Sequence, residues 1–407
     1  MTSEELRKQF PALDREVYGR PLIYLDNAAT TQRPLEVVRV QSDSALLHNG
    51  NTHRAVHALA GEATQAYERA REAVRDFIDA DSQEEIVFTS GTTASINLLA
   101  SSFGEKFVSA GDEIIVAESE HHSDIIPWQL LCQRKGSKIV VLPVDEAGSL
   151  EVEKLPGLLS EKTKLVCVAH VSNVLGLVNP IKDISAIAHS RGVPVLVDGA
   201  QAVAHIKVSV KELDCDFYAF SGHKMYAATG IGVLYAKREY LEQMPPFMGG
   251  GEMIDSVTWD GSTYAPIPYK FEAGTPNINS VPTFVPAIDF VRQMAEGECA
   301  TELEEIKRFV YDALASDERI VLRGTSEDLD EKLPLFSFSV KGVHHEDLAL
   351  VLDKMGIAVR SGHMCAQPLM TRYGVTGMLR ASFAPYNTIA EAKQFILALD
   401  KAIKLLK

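Results

Sequence analysis

Cysteine is scarce in this chain: five residues among 407, at positions 132, 167, 215, 299 and 365, with no Cys-x-x-Cys pair. The wide spacing and odd count exclude a disulfide framework and argue against a structural zinc site, which leaves open one reactive thiol. Long apolar runs are missing too, and none approaches the ~18–20 residues that a membrane span needs. The opening stretch from Met1 to Phe10 is polar and lacks the apolar centre of a secretory signal, so a cytoplasmic location is expected. Nor is there a surplus of positive charge: 40 Lys and Arg stand against 55 Asp and Glu, for a net charge of −15. That balance disfavours a nucleic-acid or anionic-membrane partner, which would need a cationic surface. What is present is ordinary globular material, 46% hydrophobic and 23% charged, enough for a sizeable core.

Between about Asp81 and Lys237, short apolar runs alternate with helical stretches. The runs lie at 85–88, 113–116, 138–142, 165–168, 194–197, 217–220 and 232–235. Their nearly continuous apolar character requires cover on both faces, which predicts a mainly parallel seven-stranded sheet between helices. Gly249-Gly250-Gly251 and the proline-rich stretch 264–279 follow. Studded with Trp259, Tyr264, Tyr269 and Phe271, this region reads as ordered loop. A helical segment is predicted from about Pro282 toward Ala315. Residues 335–340 alternate like a half-buried antiparallel strand, 357–360 read as another strand, and an amphipathic helix closes the chain at 389–406. The expected class is α/β. It divides into an N-terminal segment (1–25) packing on the small domain, a large α/β domain (26–281) and a small C-terminal α+β domain (282–407).

Three strand ends carry chemistry. Gly91-Thr92-Thr93 follows a strand and opens a helix, a place for a phosphate or simply for a threonine N-cap. Asp198 ends a buried run just before Gly199-Ala200-Gln201, where sheets of this kind bind ligands. It could be a metal ligand, a helix cap or the partner of a protonated ring nitrogen. Lys224, in Ser221-Gly222-His223-Lys224, ends the next run, and an ammonium there is costly unless paired or used. Pyridoxal 5'-phosphate needs a Schiff-base lysine, an acid on its ring nitrogen and a phosphate seat, and all three kinds of group are present.

Together with Tyr24-Leu25-Asp26-Asn27-Ala28-Ala29, Glu120-His121-His122 and Phe271-Glu272-Ala273-Gly274-Thr275, these motifs resemble the cysteine desulfurases of the class V aminotransferase family. Arg360-Ser361-Gly362-His363-Met364-Cys365-Ala366-Gln367-Pro368 resembles the active-cysteine loop of the Suf-type branch. The similarity runs from Tyr24 to Asn387, nearly the whole chain. It implies the PLP-dependent transferase fold type I and a homodimer.

The resemblance also implies a role for each site residue. Lys224 would hold the cofactor and move the substrate's Cα proton, Asp198 would keep the ring nitrogen protonated, and Gln201 would donate to the ring oxygen. Thr92, Thr93, Ser221 and His223 would bind the phosphate, with Thr275 supplied by the other subunit. His121 would stack on the ring and shuttle a proton. Asn173 would meet the ring or the substrate carboxylate, with Ala28 and Arg360 beside it. Arg380 would clamp that carboxylate with its planar fork, although a structural ion pair explains it equally well. His122 receives no role, and no metal is implied. Cys365 would attack the substrate sulfur as a soft thiolate and leave as a persulfide, while the other four cysteines read as packing residues.

The implied reaction converts L-cysteine to L-alanine and passes sulfur to a Suf-type sulfur-acceptor protein for iron–sulfur cluster assembly. Selenocysteine lyase chemistry would be a side activity of the same site. The chain departs from the family pattern in three places. Ala227-Ala228 stand where relatives have Gly-Pro, which predicts a looser or reshaped turn. Ala94 replaces a Glu. Met364 replaces a His before the cysteine, leaving Arg360 and His363 as the thiolate's positive neighbours. His344-His345-Glu346-Asp347 read as a solvated turn.

Overall fold

The computed structural model describes residues 1–53, 55–326 and 328–407. Seven strands form the main sheet: β1 (Ile86–Thr89), β2 (Glu113–Ala117), β3 (Lys138–Leu142), β4 (Thr163–Ala169), β5 (Val195–Asp198), β6 (Phe217–Ser221) and β7 (Gly232–Ala236). Their spatial order is β1-β7-β6-β5-β4-β2-β3. β7 runs antiparallel to both neighbours, and the other pairings are parallel. Every residue of β2, β5, β6 and β7 is buried, which is what their unbroken apolar character demands. β3 differs from the expectation of two covered faces. It is the sheet edge, where Lys138 and Val141 face solvent.

Beyond the main sheet lie four antiparallel strands, β8 (Ile320–Arg323), β9 (Leu335–Val340), β10 (Arg360–Gly362) and β11 (Met378–Ser382), ordered β8-β9-β11-β10. β9 is buried on both faces rather than on one. Phe336 and Phe338 pack into the local core, while on the other side Ser337 Oγ donates to the Val174 carbonyl at 2.5 Å. A loop that follows β4 in the main sheet thus occupies the face that the alternating pattern assigns to solvent.

Six helices frame the site or brace its surroundings: α1 (Ala58–Phe77), α2 (Thr92–Phe107), α3 (Phe284–Ala295), α4 (Glu298–Ala315), α5 (His345–Lys354) and α6 (Ile389–Leu406). The helical stretch expected over 282–315 is broken into α3 and α4, with Gly297 as the N-cap of the second. The 357–360 strand is also divided. Ile357–Ala358 pairs in parallel with Ile23–Tyr24, and Arg360 opens β10. Within 249–279 the chain forms a hairpin, Ile254–Val257 with Ser262–Tyr264. Its tip carries a fully exposed Trp259, whereas Phe271 is buried.

The N-terminal segment touches both sheets' surroundings. Ser3 donates its N–H to Glu302 on α4 and Arg7 pairs with Glu391 on α6 at 2.8 Å, while Phe10 packs against Tyr226, Phe290 and Tyr386. Arg71 of α1 is wholly buried and grips Glu272 through both nitrogens at 2.7 and 3.0 Å. Glu272 also accepts the Phe88 N–H at 2.7 Å, so this pair pins the 271–275 loop to β1. Removing one partner of such a buried pair costs about 3–5 kcal/mol.

Candidate active site

The carboxyl ends of β4, β5 and β6 open into a cavity of about 540 Å³. Asp198 closes β5, and its Oδ1 accepts the Ala200 N–H at 2.9 Å. No helix starts there, so it is not a helix cap; the chain turns back on itself instead. Gly199 is required for close approach, because a Cβ would lie 2.0 Å from the Tyr218 ring. Burial raises the Asp198 pKa, while Lys224 and the Ala200 N–H pull it down. Lys224 follows β6 in the short turn Gly222–Lys224 and is half-buried. Burial lowers the pKa of its amine against the pull of Asp198, and Arg380 adds to the lowering. A lysine so placed loses its proton, and becomes nucleophilic, more readily than one in water. Gln201 commits one N–H to the Ala28 carbonyl at 2.7 Å.

At one end of the cavity α2 begins. Its N-cap is Gly91 (φ 145°), which has no side chain to cap with, so the threonine-cap reading fails. Both threonines meet other hydroxyls. Thr92 pairs with Ser221 at 2.8 Å through both its N–H and its hydroxyl, and Thr93 Oγ1 lies 2.7 Å from Ser123 Oγ. His223 sits beside Thr30 at 3.3 Å, its pKa pushed down to about 4 by burial, Lys224 and Arg33. An uncapped helix start ringed by hydroxyls suits an anion such as a phosphate. Thr275 does not line this cavity. It lines an adjoining groove that Thr93 also borders.

The same cavity is lined by His121, Asn173, Arg360, Arg380 and Cys365. Burial, with Lys224, His122 and Arg380 nearby, drives the His121 pKa down to about 3, so the ring is neutral. Its Nδ1 accepts the Ser123 N–H at 3.0 Å, which puts the ring proton on Nε2. Arg380 is buried and donates to the Asn173 carbonyl at 2.7 Å. Asp26, whose importance sequence reasoning missed, lies 3.4 Å from both Arg380 and Arg360. The ion-pair reading of Arg380 therefore holds in part. Its Nε, however, finds no acceptor among the described residues.

Of the cysteines, 167, 215 and 299 are buried, Cys132 is partly so, and Cys365 is exposed. Every residue singled out for the site lines this one cavity except Thr275. Ala28 does so at the floor, where Gln201 is bonded to it.

Three further features escaped the sequence. Ala227 and Ala228 are buried and tied down, by Ala227 N–H to Gly222 O at 3.0 Å and Ala228 N–H to Thr283 Oγ1 at 3.1 Å. The positive φ in this turn falls on Tyr226, immediately before the alanines. Glu346 lines the cavity from the first turn of α5, with His344 as the N-cap, so the 344–347 stretch is not a free turn. Finally, Glu120 and Asp124 flank the histidine pair and are fully buried. Glu120 accepts the Ala169 N–H and Asp124 the Trp128 indole N–H, yet Glu120 Oε2 and Asp124 Oδ2 find no donor among the described residues. Burial and mutual repulsion raise the Glu120 pKa; burial and Asp198 raise that of Asp124. Two carboxyls buried together retain a proton more readily than exposed ones, and such a proton would supply the missing donor.

No helix among the described residues is long and apolar enough to cross a membrane. A family model described as Aminotransferase class-V matches residues 23–395. A probable cysteine desulfurase of Halalkalibacterium halodurans is 47% identical over 407 residues, covering 100% of this chain and 98% of the relative. A cysteine desulfurase of Cronobacter sakazakii is 46% identical, covering 99% and 98%. Among solved structures, a cysteine desulfurase from Escherichia coli, determined as an S-sulfonic acid, superposes with a TM-score of 0.91 at 39% identity over 100% of both chains. An apo cysteine desulfurase from Thermococcus onnurineus gives 0.93 at 37% identity, covering 100% and 99%.

Proposed function

This chain belongs to the class-V aminotransferase family, and on that premise we propose that it is a pyridoxal 5'-phosphate-dependent cysteine desulfurase of the Suf type. The observation that carries the reading is an exposed thiol, Cys365, lining the same cavity as Lys224 and Asp198. The residues fit the cofactor: an uncapped helix start with hydroxyls for a phosphate, a buried acid for a ring nitrogen, and a lysine of lowered pKa for a carbonyl carbon. When bound, the cofactor would supply an electron sink for charge developing at the substrate's Cα.

Lys224 would hold the cofactor and take the Cα proton, while Asp198 would keep the pyridine nitrogen protonated and Gln201 would orient the ring oxygen. Thr92, Thr93, Ser221 and His223 would receive the phosphate, and Thr275 would reach the second site of a homodimer. Arg380 would clamp the substrate carboxylate, with Asn173, Ala28 and Arg360 completing that end. His121 would stack on the ring and move a proton from Nε2.

Cys365 Sγ would then attack the substrate sulfur. The carbon–sulfur bond breaks, the carbon takes a proton, and L-cysteine plus thiol becomes L-alanine plus a Cys365 persulfide. A cytoplasmic sulfur-acceptor protein would consume that persulfide for iron–sulfur cluster assembly.

Cys365→Ala tests this reading. Alanine formation from cysteine, with a reductant present, should collapse, and mass spectrometry of the native chain after cysteine should find added sulfur on Cys365. A normal rate of alanine formation in Cys365→Ala sinks the proposal. Product assays on selenocysteine and kynurenine separate it from other chemistries of the same cofactor.

A further inference from the structure

The thiol loop holds two consecutive non-glycine residues in the left-handed region, Met364 at φ 51° and Cys365 at φ 56°. Such a conformation costs about 1–3 kcal/mol per residue and persists only where the surroundings over-determine it. Here they do so through five hydrogen bonds. Asn173 Nδ2 donates to the Met364 carbonyl at 2.7 Å, and Ala366 N–H to the His363 carbonyl at 2.9 Å. Cys365 N–H donates to His363 Nδ1 at 3.1 Å. The last two both involve His122: its N–H donates to the Cys365 carbonyl at 2.7 Å, and its Nε2 accepts the Gln367 N–H at 3.1 Å.

His122 reaches this loop from the segment after β2, so it is a strut between the main sheet and the thiol, and it bonds on both sides of the cysteine. We propose that His122 is the positioning residue of Cys365: its neutral ring and its backbone N–H lock 364–367 in the strained form that presents the thiol to the cavity. A backbone N–H can only donate, so Nε2 must be bare, and an imidazolium, which has two donors and no acceptor, breaks the lock. The titratable groups facing His122 are His363 and Cys365 on the thiol loop and His121 on its own turn, with ring centres 5.5 Å from His363 and 6.4 Å from His121. Burial and His363 both lower its pKa, which keeps the ring neutral and the lock closed at physiological pH. Acid opens it.

The catalytic use of the lock rests on the proposed sulfur chemistry, but the lock itself does not, and the test reads the two separately. Hydrogen–deuterium exchange is followed in the peptide spanning 363–367 for the native protein, His122→Ala and His122→Gln, with alanine formation measured alongside. His122→Ala should exchange at least tenfold faster in that peptide. Its kcat should fall by about a hundredfold, the cost of a misplaced reacting group, with cysteine KM and the cofactor's absorption unchanged. His122→Gln offers an amide oxygen to the Gln367 N–H, so it should restore both readouts and remove the loss of protection that the native peptide shows on acidification.

Native exchange and native kcat in His122→Ala overturn the proposal. So does a native peptide whose protection, after correction for intrinsic exchange, stays constant from pH 8 down to the onset of acid unfolding, a result that needs no variant. If Cys365→Ala retained alanine formation, the sulfur chemistry would fall while the exchange result still stood or failed on its own.

Discussion

The floor of the cavity and the thiol loop opposite it are held by different means. On the floor, Asp198 ends β5 and Lys224 follows β6 in a short turn, and the parallel pairing of these adjacent strands fixes where both begin. The loop has no such frame. Met364 and Cys365 adopt a costly backbone, and side chains from other segments, His122 and Asn173, hold it there. The difference matches the proposed tasks. Groups that must meet one rigid ring are better carried on a sheet, whereas a thiol that must attack inside and then deliver sulfur outside suits a loop that a few bonds can close or release.

Three substitutions would break or sharpen this contrast. Lys224→Ala has the largest expected effect. The purified protein should lose its colour, and alanine formation should drop by at least the ~10²–10⁴-fold that a positioned proton-transfer group contributes. Cys365 should still be alkylated by iodoacetamide at the native rate. If its rate changes severalfold, the floor and the loop are not independent.

Asp124→Asn comes next, because beneath the floor the sheet encloses a carboxyl pair. Both folded-state pKa values are raised, by burial first. Below about pH 3 both the folded and unfolded groups are protonated and the pair costs nothing. As pH rises, the unfolded carboxyls ionise while the folded ones resist, so stability is lost, by up to ~1.4 kcal/mol per pH unit for each proton retained. An asparagine keeps the acceptor for Trp128 and offers a permanent donor to Glu120. The variant's advantage in Tm should therefore widen from pH 5 to pH 8. A constant gap would mean that the pair holds no extra proton.

The smallest effect is expected for Ala227→Gly. The turn beside Lys224 is fixed by hydrogen bonds to Gly222 and Thr283, and its left-handed residue is Tyr226. A glycine at 227 should therefore add only unfolded-state freedom and cost about 0.5–1 kcal/mol in urea unfolding. A gain in stability would show that the alanine is strained there after all.

What could be read along the chain was whatever depends on neighbours in sequence. The main-sheet strands are nearly continuous apolar runs, and α6 follows its 3.6-residue period, so both are visible locally. Three misreadings involve distant partners. β9 looks half-solvated because the loop that covers its second face lies about 160 residues earlier, as the Ser337 bond to Val174 shows. Asp26 looks like one acid among many until two arginines that follow it by more than 300 residues close on it. His122 has no local signature of its role, since the strain it supports belongs to residues 364 and 365.

The order of residues along the chain was enough to specify the strand ends that carry Asp198, Lys224 and Gly91-Thr92-Thr93, because apolar runs and the turns that end them are local features. It was also enough to single out the one cysteine in an open loop. Tertiary structure alone decided which charges pair, which donor stays unpartnered on Arg380, that two carboxyls meet beneath the floor, and that a histidine from the segment after β2 braces the thiol. Each of these is a contact between segments whose separation along the chain carries no information about their distance in space, and burial then sets their protonation.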